Sequence, residues 1–476
     1  MGKENQFVSQ IADIESDFPQ WYSDVVLKTK LVDYGPVKGT MVIRPYGYAI
    51  WENIQREFNA RFRENEYENA YFPLLIPMSF MTKEAEHVEG FAPEVAVVTH
   101  AGGEKLAEPL CIRPTSETII GKMYGNWIES WRDLPLRMNQ WANVMRWEKT
   151  TRPFLRTSEF LWQEGHSVFA SAEEAEAETQ KMLAVYEEFS QNVLAMPVLT
   201  GKKTEKEKFA GAVATYGMEA MMHDGKSLQS GTSHYLGQNF SKAFDIKFTD
   251  KDGVQKYGYT MSFGVSTRLI GALIMTHGDS RGLVMPPVVA PVQAVIIPIA
   301  AKKEGVLDAC RALKQSLTES GLRVVLDDSE NSPGWKFNEW EMKGVPLRIE
   351  LGPRDLEAGK MLCARRDNFE KSEILLDGAA ESVKALLKEI SENMYRKAKE
   401  RMDSRIVNAE TLDGLLEGVN TGNFVRAGWC GCRACEDKVK EFAQATSRVM
   451  DKTNSAKKCV VCGKESVHTV FFARAY

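Results

Sequence analysis

Between residues 49 and 65, Ile50, Ile54, Phe58 and Phe62 recur at four-residue intervals, the stripe of an amphipathic helix. Residues 71–77, Tyr-Phe-Pro-Leu-Leu-Ile-Pro, read as a short apolar strand ended by proline. Ser171-Ala-Glu-Glu174 is a capping box and predicts a helix running toward Gln191. Residues 237–266 alternate aromatic and polar side chains around Asp252-Gly253, which predicts antiparallel strands with a hairpin. After Pro286-Pro287 the rhythm changes. Strands over 292–299, 322–326 and 346–351 alternate with helices over 304–320 and 334–343, closed by Gly321 and Gly344. Strands separated by helices imply parallel pairing through right-handed crossovers. A long helix over 377–405 leads into a cysteine-rich tail.

At 476 residues the chain exceeds one hydrophobic core and implies two or three domains. The composition, 43% hydrophobic and 26% charged, is that of an ordinary globular protein. A net charge of −5 gives no global attraction to nucleic acid, so any such contact needs local basic patches. The first ten residues lack the apolar core of a secretory signal. The most apolar stretch, 288–301, is broken by Pro291, Gln293 and Pro298 and falls short of the roughly 20 residues that span a bilayer. These features predict a cytoplasmic protein with reduced thiols and no membrane contact.

Four words carry chemistry: Arg113-Pro-Thr-Ser-Glu-Thr118, Arg146-Trp-Glu148, Gln229-Ser-Gly-Thr-Ser-His234 and Ser266-Thr-Arg268. The second continues through Arg156 and Phe160 to Glu164. Guanidinium forks match phosphate oxygens bidentately, and a phenyl ring offers a stacking face for a base. Each word alone is compatible with a surface ion pair or a helix cap; together, in this order, they describe a nucleotide site.

In the tail, Cys459-Val-Val-Cys462 is a knuckle-like pair that suits a tetrahedral Cys₄ zinc site with two upstream cysteines. Spacing alone points to Cys432 and Cys435 as the upstream pair. A disulfide reading is disfavoured in a reducing compartment.

These words resemble the motifs of class II aminoacyl-tRNA synthetases. Glu68-Asn-Ala-Tyr-Phe-Pro73 resembles motif 1, Arg146–Glu164 motif 2 and Gly264-Val-Ser-Thr-Arg268 motif 3. Phe91-Ala-Pro-Glu94, Phe160-Leu-Trp-Gln-Glu-Gly-His166, Gly334-Trp-Lys-Phe337 and Gly352-Pro-Arg-Asp355 are similar to words of the prolyl-tRNA synthetases of the archaeal/eukaryotic-like type. The resemblance implies an α+β / α/β multidomain chain. A class II antiparallel-sheet catalytic domain would occupy 1–286, an α/β anticodon-binding domain 287–378 and a small α+β zinc-binding domain 379–476. It implies a homodimer through motif 1, with L-proline, ATP with Mg²⁺ and tRNA(Pro) as partners.

Carried onto this sequence, the resemblance assigns the proline ammonium to Thr115 and Glu117, with His234 nearby. Phe91, Trp162 and His166 would wall the ring. Arg146 would bridge the α-phosphate and the proline carboxylate, and Arg156 and Arg268 would hold the outer phosphates. Glu148 and Gln229 would face the nucleotide and its metal, Phe160 would stack on adenine, and Thr232 and Ser266 would supply hydroxyls. Lys336, Glu341, Arg348 and Lys371 become anticodon candidates. For zinc, the family pattern selects Cys430 and Cys435 with Cys459 and Cys462, leaving Cys432 as the alternative ligand. The terminal carboxylate of Tyr476 would approach the active site. About 60 residues separate His166 from Gln229, too few for the editing insertion of bacterial-type relatives. A synthetase for another small amino acid and a tRNA-binding paralogue without aminoacylation are the competing readings.

Overall fold

The computed structural model describes residues 11–81 and 95–476. Phe91 and its Phe-Ala-Pro-Glu word lie outside them. At the centre stand seven strands: β1 (Glu68–Ala70), β2 (Leu136–Met145), β3 (Glu159–Phe169), β4 (Val198–Lys202), β5 (Ala214–Met221), β6 (Ser227–Gly237) and β7 (Tyr259–Ser266). Their spatial order is β1-β2-β3-β7-β6-β5-β4. All neighbours are antiparallel except the β1–β2 pair.

Helices α1 (Pro45–Glu64) and α2 (Ala172–Asn192) cover one face of this sheet. The expected stripe of α1 is buried, and Phe58 stacks on Phe189 of α2 with ring centroids 3.6 Å apart. Helix α2 begins at the capping box, where the Ser171 hydroxyl accepts from the Glu174 N–H. The opposite face of the sheet carries polar residues and opens to solvent.

Along β7 the period of two separates the faces. Met261, Phe263 and Val265 enter the core, whereas Ser262, Gly264 and Ser266 line the open side. The apolar run 71–77 is a strand only from Leu75 to Pro77, because Phe72 and Pro73 are drawn onto the Arg113 guanidinium by their carbonyls. Residues 237–266 are not all strand. A helix, Asn239–Phe244, seats Phe240 and Phe244 in a second core before the hairpin of Lys247–Thr249 and Gln255–Tyr257.

The second unit is a five-stranded sheet: β8 (Ala294–Pro298), β9 (Val324–Leu326), β10 (Leu347–Leu351), β11 (Lys360–Arg365) and β12 (Lys371–Leu375), in the order β9-β8-β10-β11-β12. The expected parallel pairing holds for β8 with β9 and β10, and an antiparallel hairpin extends it. Helix Pro333–Met342 ends at Gly344, whose φ of +70° turns the chain into β10. The third unit is a four-stranded sheet, β13 (Ile406–Ala409), β14 (Phe424–Trp429), β15 (Thr446–Met450) and β16 (His468–Ala473), with helix α3 (Arg433–Ala443) packed on it. Among the described residues no helix is long and apolar enough to cross a membrane.

Candidate active site

The open face of the seven-stranded sheet holds a cavity of about 270 Å³. Its floor follows from strand register. Trp162, Glu164 and His166 of β3 lie directly opposite Ser266, Gly264 and Ser262 of β7. Thr232 and His234 of β6 lie opposite the same Gly264 and Ser262. Phe160, Trp162, Glu164 and His166, alternate residues of one strand, therefore share a face and span roughly 20 Å at about 3.4 Å per residue. The cavity brings together Thr115, Glu117, Arg146, Phe160, Trp162, His166, Gln229, Thr232, His234, Ser266 and Arg268. Glu148 and Arg156 pair with each other at 3.9 Å and lie outside its lining.

Arg146 ends the β2 side of the motif 2 loop. Its Nε donates to Pro114 O at 3.0 Å, and its guanidinium lies 5.6 Å from the Phe160 ring and 5.7 Å from the Trp162 ring. Those contacts fix the head group, while the side that faces the cavity stays accessible to solvent. Arg268 is held by Leu155 O at 3.1 Å and Gln229 O at 3.4 Å. Its pKa is lowered by burial and then by the charges of Arg156 and Arg146. Three guanidiniums that raise one another's free energy form a site for a polyanion.

The other end of the cavity is differently charged. The Thr115 hydroxyl donates to the buried Glu117 carboxylate. Behind it, His166 Nε2 lies 3.0 Å from Glu164 Oε2, while Ser116 and Gln140 donate to Glu164 Oε1 at 2.5 and 2.9 Å. Burial opposes charge on both partners, yet their mutual bond wins: His166 is raised and Glu164 lowered from their ordinary values. The pair is thus shifted toward imidazolium and carboxylate. His234 is the reverse, pushed down to about 3 by burial and by the cations of His166 and Lys203. Its Nδ1 lies 3.0 Å from Thr215 Oγ1, which already accepts from the Phe209 N–H, so we assign the imidazole proton to Nε2. Trp162 Nε1 and Ser262 Oγ, on two residues that line the cavity, have no protein partner among the described residues.

Sequence reasoning left Glu164, Ser116 and Gln140 without roles, and it missed Glu207, Lys208, Phe209 and Thr215 on the wall. Glu164 was visible as the third alternating residue of β3, after Phe160 and Trp162. The wall residues carry no motif.

Tyr476 reaches the start of β6 in the same sheet. Its N–H donates at 3.1 Å to the O of Ser227, two residues before Gln229 on β6, and its hydroxyl donates to Asp224 Oδ2 at 2.6 Å.

Of the anticodon candidates, Glu341, Arg348 and Lys371 line a second cavity of about 160 Å³. There Arg348 bridges Glu341 at 2.9 Å and Glu350 at 3.1 Å. Lys336 stands apart: it is 4% exposed and donates to Asp327 O at 2.8 Å.

In the tail, the sulfurs of Cys430, Cys435, Cys459 and Cys462 lie within 4.8 Å of one another. The Cys430–Cys435 and Cys430–Cys462 separations are 3.7 and 3.8 Å. A tetrahedron of Zn–S bonds of about 2.3 Å has an edge of about 3.8 Å, and a disulfide would need about 2.05 Å. Against the burial that would raise it, N–H groups of Cys462, Val461 and Cys430 bring the Cys459 thiol down to about 7. Cys432 is exposed and outside the group.

Residues 100–277 match the family model of the tRNA synthetase class II core domain (G, H, P, S and T), and 293–386 that of the anticodon binding domain. Residues 412–476 match the prolyl-tRNA synthetase C-terminal model. The chain is 58% identical to the proline--tRNA ligase of Alkaliphilus oremlandii, covering 100% of this chain and 99% of that one. It is 55% identical to that of Acetoanaerobium sticklandii and 54% identical to proline--tRNA ligase 2 of Clostridioides difficile, each covered to 99%. The crystal structure of prolyl-tRNA synthetase from Cryptosporidium parvum, complexed with halofuginone and AMPPNP, superimposes with a TM-score of 0.94 at 40% identity, covering 100% of this chain and 99% of that one. End-to-end likeness of this kind, carried through all three units, places the chain in the prolyl-tRNA synthetase family.

Proposed function

We propose that the chain activates L-proline with ATP to prolyl-adenylate, releasing diphosphate, and transfers the prolyl group to the 3′ end of tRNA(Pro). The observation that carries this is one cavity that gathers two guanidiniums, Arg146 over the Phe160 ring and Arg268 beside Gln229, with the carboxylate Glu117 bonded to Thr115. An amino acid presents its ammonium to Glu117 and Thr115 and its carboxylate to Arg146. That carboxylate is itself the nucleophile, so the protein's task is positioning and charge stabilisation. Arg146 holds the carboxylate against the α-phosphate, Arg268 and Arg156 take the outer phosphates, and Phe160 stacks on the base. Thr232 and Ser266 supply hydroxyls. Glu148 and the Gln229 amide would give oxygen ligands to a Mg²⁺ bound with the nucleotide, which would neutralise phosphate charge. Trp162 and His166 wall the proline ring. Neutral His234 donates through Nε2 without adding charge.

The four-cysteine group would hold a structural zinc, for its edges fit the metal and all four positions are filled by protein. Glu341, Arg348 and Lys371 present a carboxylate and two cations to an unstacked base, the chemistry that reads tRNA anticodons. Tyr71 and Leu75, 71% and 42% exposed beside the edge strand β1, suit a homodimer in which a second copy covers them. The free thiols fit a cytoplasmic setting.

We assign the archaeal/eukaryotic-like type without an editing insertion. Only α2 and β4 lie between β3 and β5. Because each missing methylene discriminates by only about 1–3 kcal/mol, alanine should be activated to a measurable degree. Alanyl-tRNA(Pro) mixed with the purified protein is expected to lose alanine no faster than in buffer; rapid enzymatic release would contradict the assignment.

The direct test of the function is charging of tRNA(Pro) with radiolabelled proline beside threonine. Proline should be esterified in preference, and preferential transfer of threonine would reject the proposal.

A further inference from the structure

Residues 203–213 form a loop between β4 and β5 that closes one wall of the catalytic cavity through Glu207, Lys208 and Phe209. The Phe209 ring lies 4.7 Å from the ring of His234. Its N–H is tied to Thr215, the residue that orients His234. The placement of this wall therefore bears on the amino-acid end of the cavity.

The entry to the loop is fastened from the third unit. Thr204 Oγ1 donates to Glu436 Oε1 at 2.7 Å, and the Ser447 hydroxyl donates to the same oxygen. Thr204, Glu436 and Ser447 are 2%, 4% and 2% exposed. Lys206 Nζ meets Asp437 Oδ1 at 2.5 Å. Beside them Lys203 Nζ reaches Glu219 Oε1 at 2.5 Å, and Arg448 of β15 brings Nε and Nη2 onto the same carboxylate at 3.0–3.1 Å. The backbones also approach closely, since a Cβ on Gly201 would stand 2.3 Å from Met450 O. Glu436 and Asp437 directly follow Cys435 at the start of α3. A fully satisfied buried polar network holds one arrangement more strictly than apolar contact does.

We infer that Glu436 and Asp437 of the C-terminal unit are positioning residues for the proline pocket. They clamp the Thr204–Lys206 entry of the loop and so set where Phe209 stands against His234. This rests on the proline reading of the cavity. The arginines of the phosphate end sit just after β2, on the motif 2 loop and at the start of the helix after β7, none of them on the clamped loop. The clamp therefore acts on proline more than on ATP.

The test is ATP–diphosphate exchange by the full-length, metal-loaded protein carrying Glu436→Ala or Glu436→Gln. Glu436→Ala is expected to raise the KM for proline by about tenfold, the scale of a lost buried hydrogen bond, with KM for ATP and kcat nearly unchanged. Glu436→Gln keeps a carbonyl acceptor for Thr204 and should recover most of the affinity. Should Glu436→Ala fail to fold, Lys206→Ala on the part-exposed pair should give a smaller rise in the same constant. A proline KM unchanged in the soluble variants, or an equal rise in both KM values, would overturn the inference. Wild-type protein without proline-dependent exchange would instead reject the function it rests on.

Discussion

Arg146→Ala is expected to lower kcat/KM for prolyl-adenylate formation by about 10³-fold or more, while the protein keeps its fold. Removing one preorganised donor from a developing charge costs about 10²–10³ in rate. Arg146 is asked to serve two anions at once, so its loss should sit at or above the top of that range. The fold should survive because the side chain leans on Pro114 O and two ring faces and faces the open cavity. Its loss also relieves repulsion on Arg268, whose pKa it helps to lower. Arg146→Lys should recover little, since a point charge cannot bridge two ligands bidentately. Rapid-quench measurement of adenylate, with circular dichroism as the folding control, checks this; exchange activity near that of wild type would show that Arg146 is not the bridge.

The second large effect is expected at the cysteine group. Cys459→Ser should abolish stoichiometric zinc binding and unfold or loosen the C-terminal sheet. Structural zinc contributes roughly 10–16 kcal/mol of apparent binding energy in small domains, more than a unit of this size gains from its core. Cys459 is the most sensitive choice because it is 2% exposed and packs within the core of that unit. Cys432→Ser should keep its metal, because Cys432 is exposed and stands outside the sulfur group. Zinc quantitation by atomic absorption, with thermal melting, separates the outcomes. Full zinc in a Cys430→Ser variant together with loss in Cys432→Ser would show that the ligand set is wrongly drawn. Through the Glu436 clamp, metal loss should also weaken proline more than ATP.

The fold was legible where local pattern and tertiary need agreed. The stripe of Phe58 and Phe62, the Ser171 capping box and the strand–helix alternation after Pro287 each depend on neighbours within a few residues. The site was legible through β3, where Phe160, Trp162, Glu164 and His166 already alternate in the sequence and must share a face. Helix Asn239–Phe244 was hidden because its aromatic residues serve a separate core, and alternation alone reads them as strand. The support beneath His166 was hidden because Ser116 and Gln140 reach Glu164 from 48 and 24 residues away. The clamp was further out of reach, since Arg448 and Glu219 are 229 residues apart and belong to no motif. Lys336, an anticodon candidate by resemblance, is buried and bonded to Asp327 O, a setting that a charge pattern in the sequence does not reveal.

The central claim is that one cavity holds proline at its Glu117 end and ATP at its Arg268 end and joins them. ATP–diphosphate exchange by the purified protein tests it most directly, with proline, alanine and threonine compared at equal concentration. The account predicts rapid exchange with proline, weak exchange with alanine and none above background with threonine. No exchange with proline, or faster exchange with threonine, would contradict it.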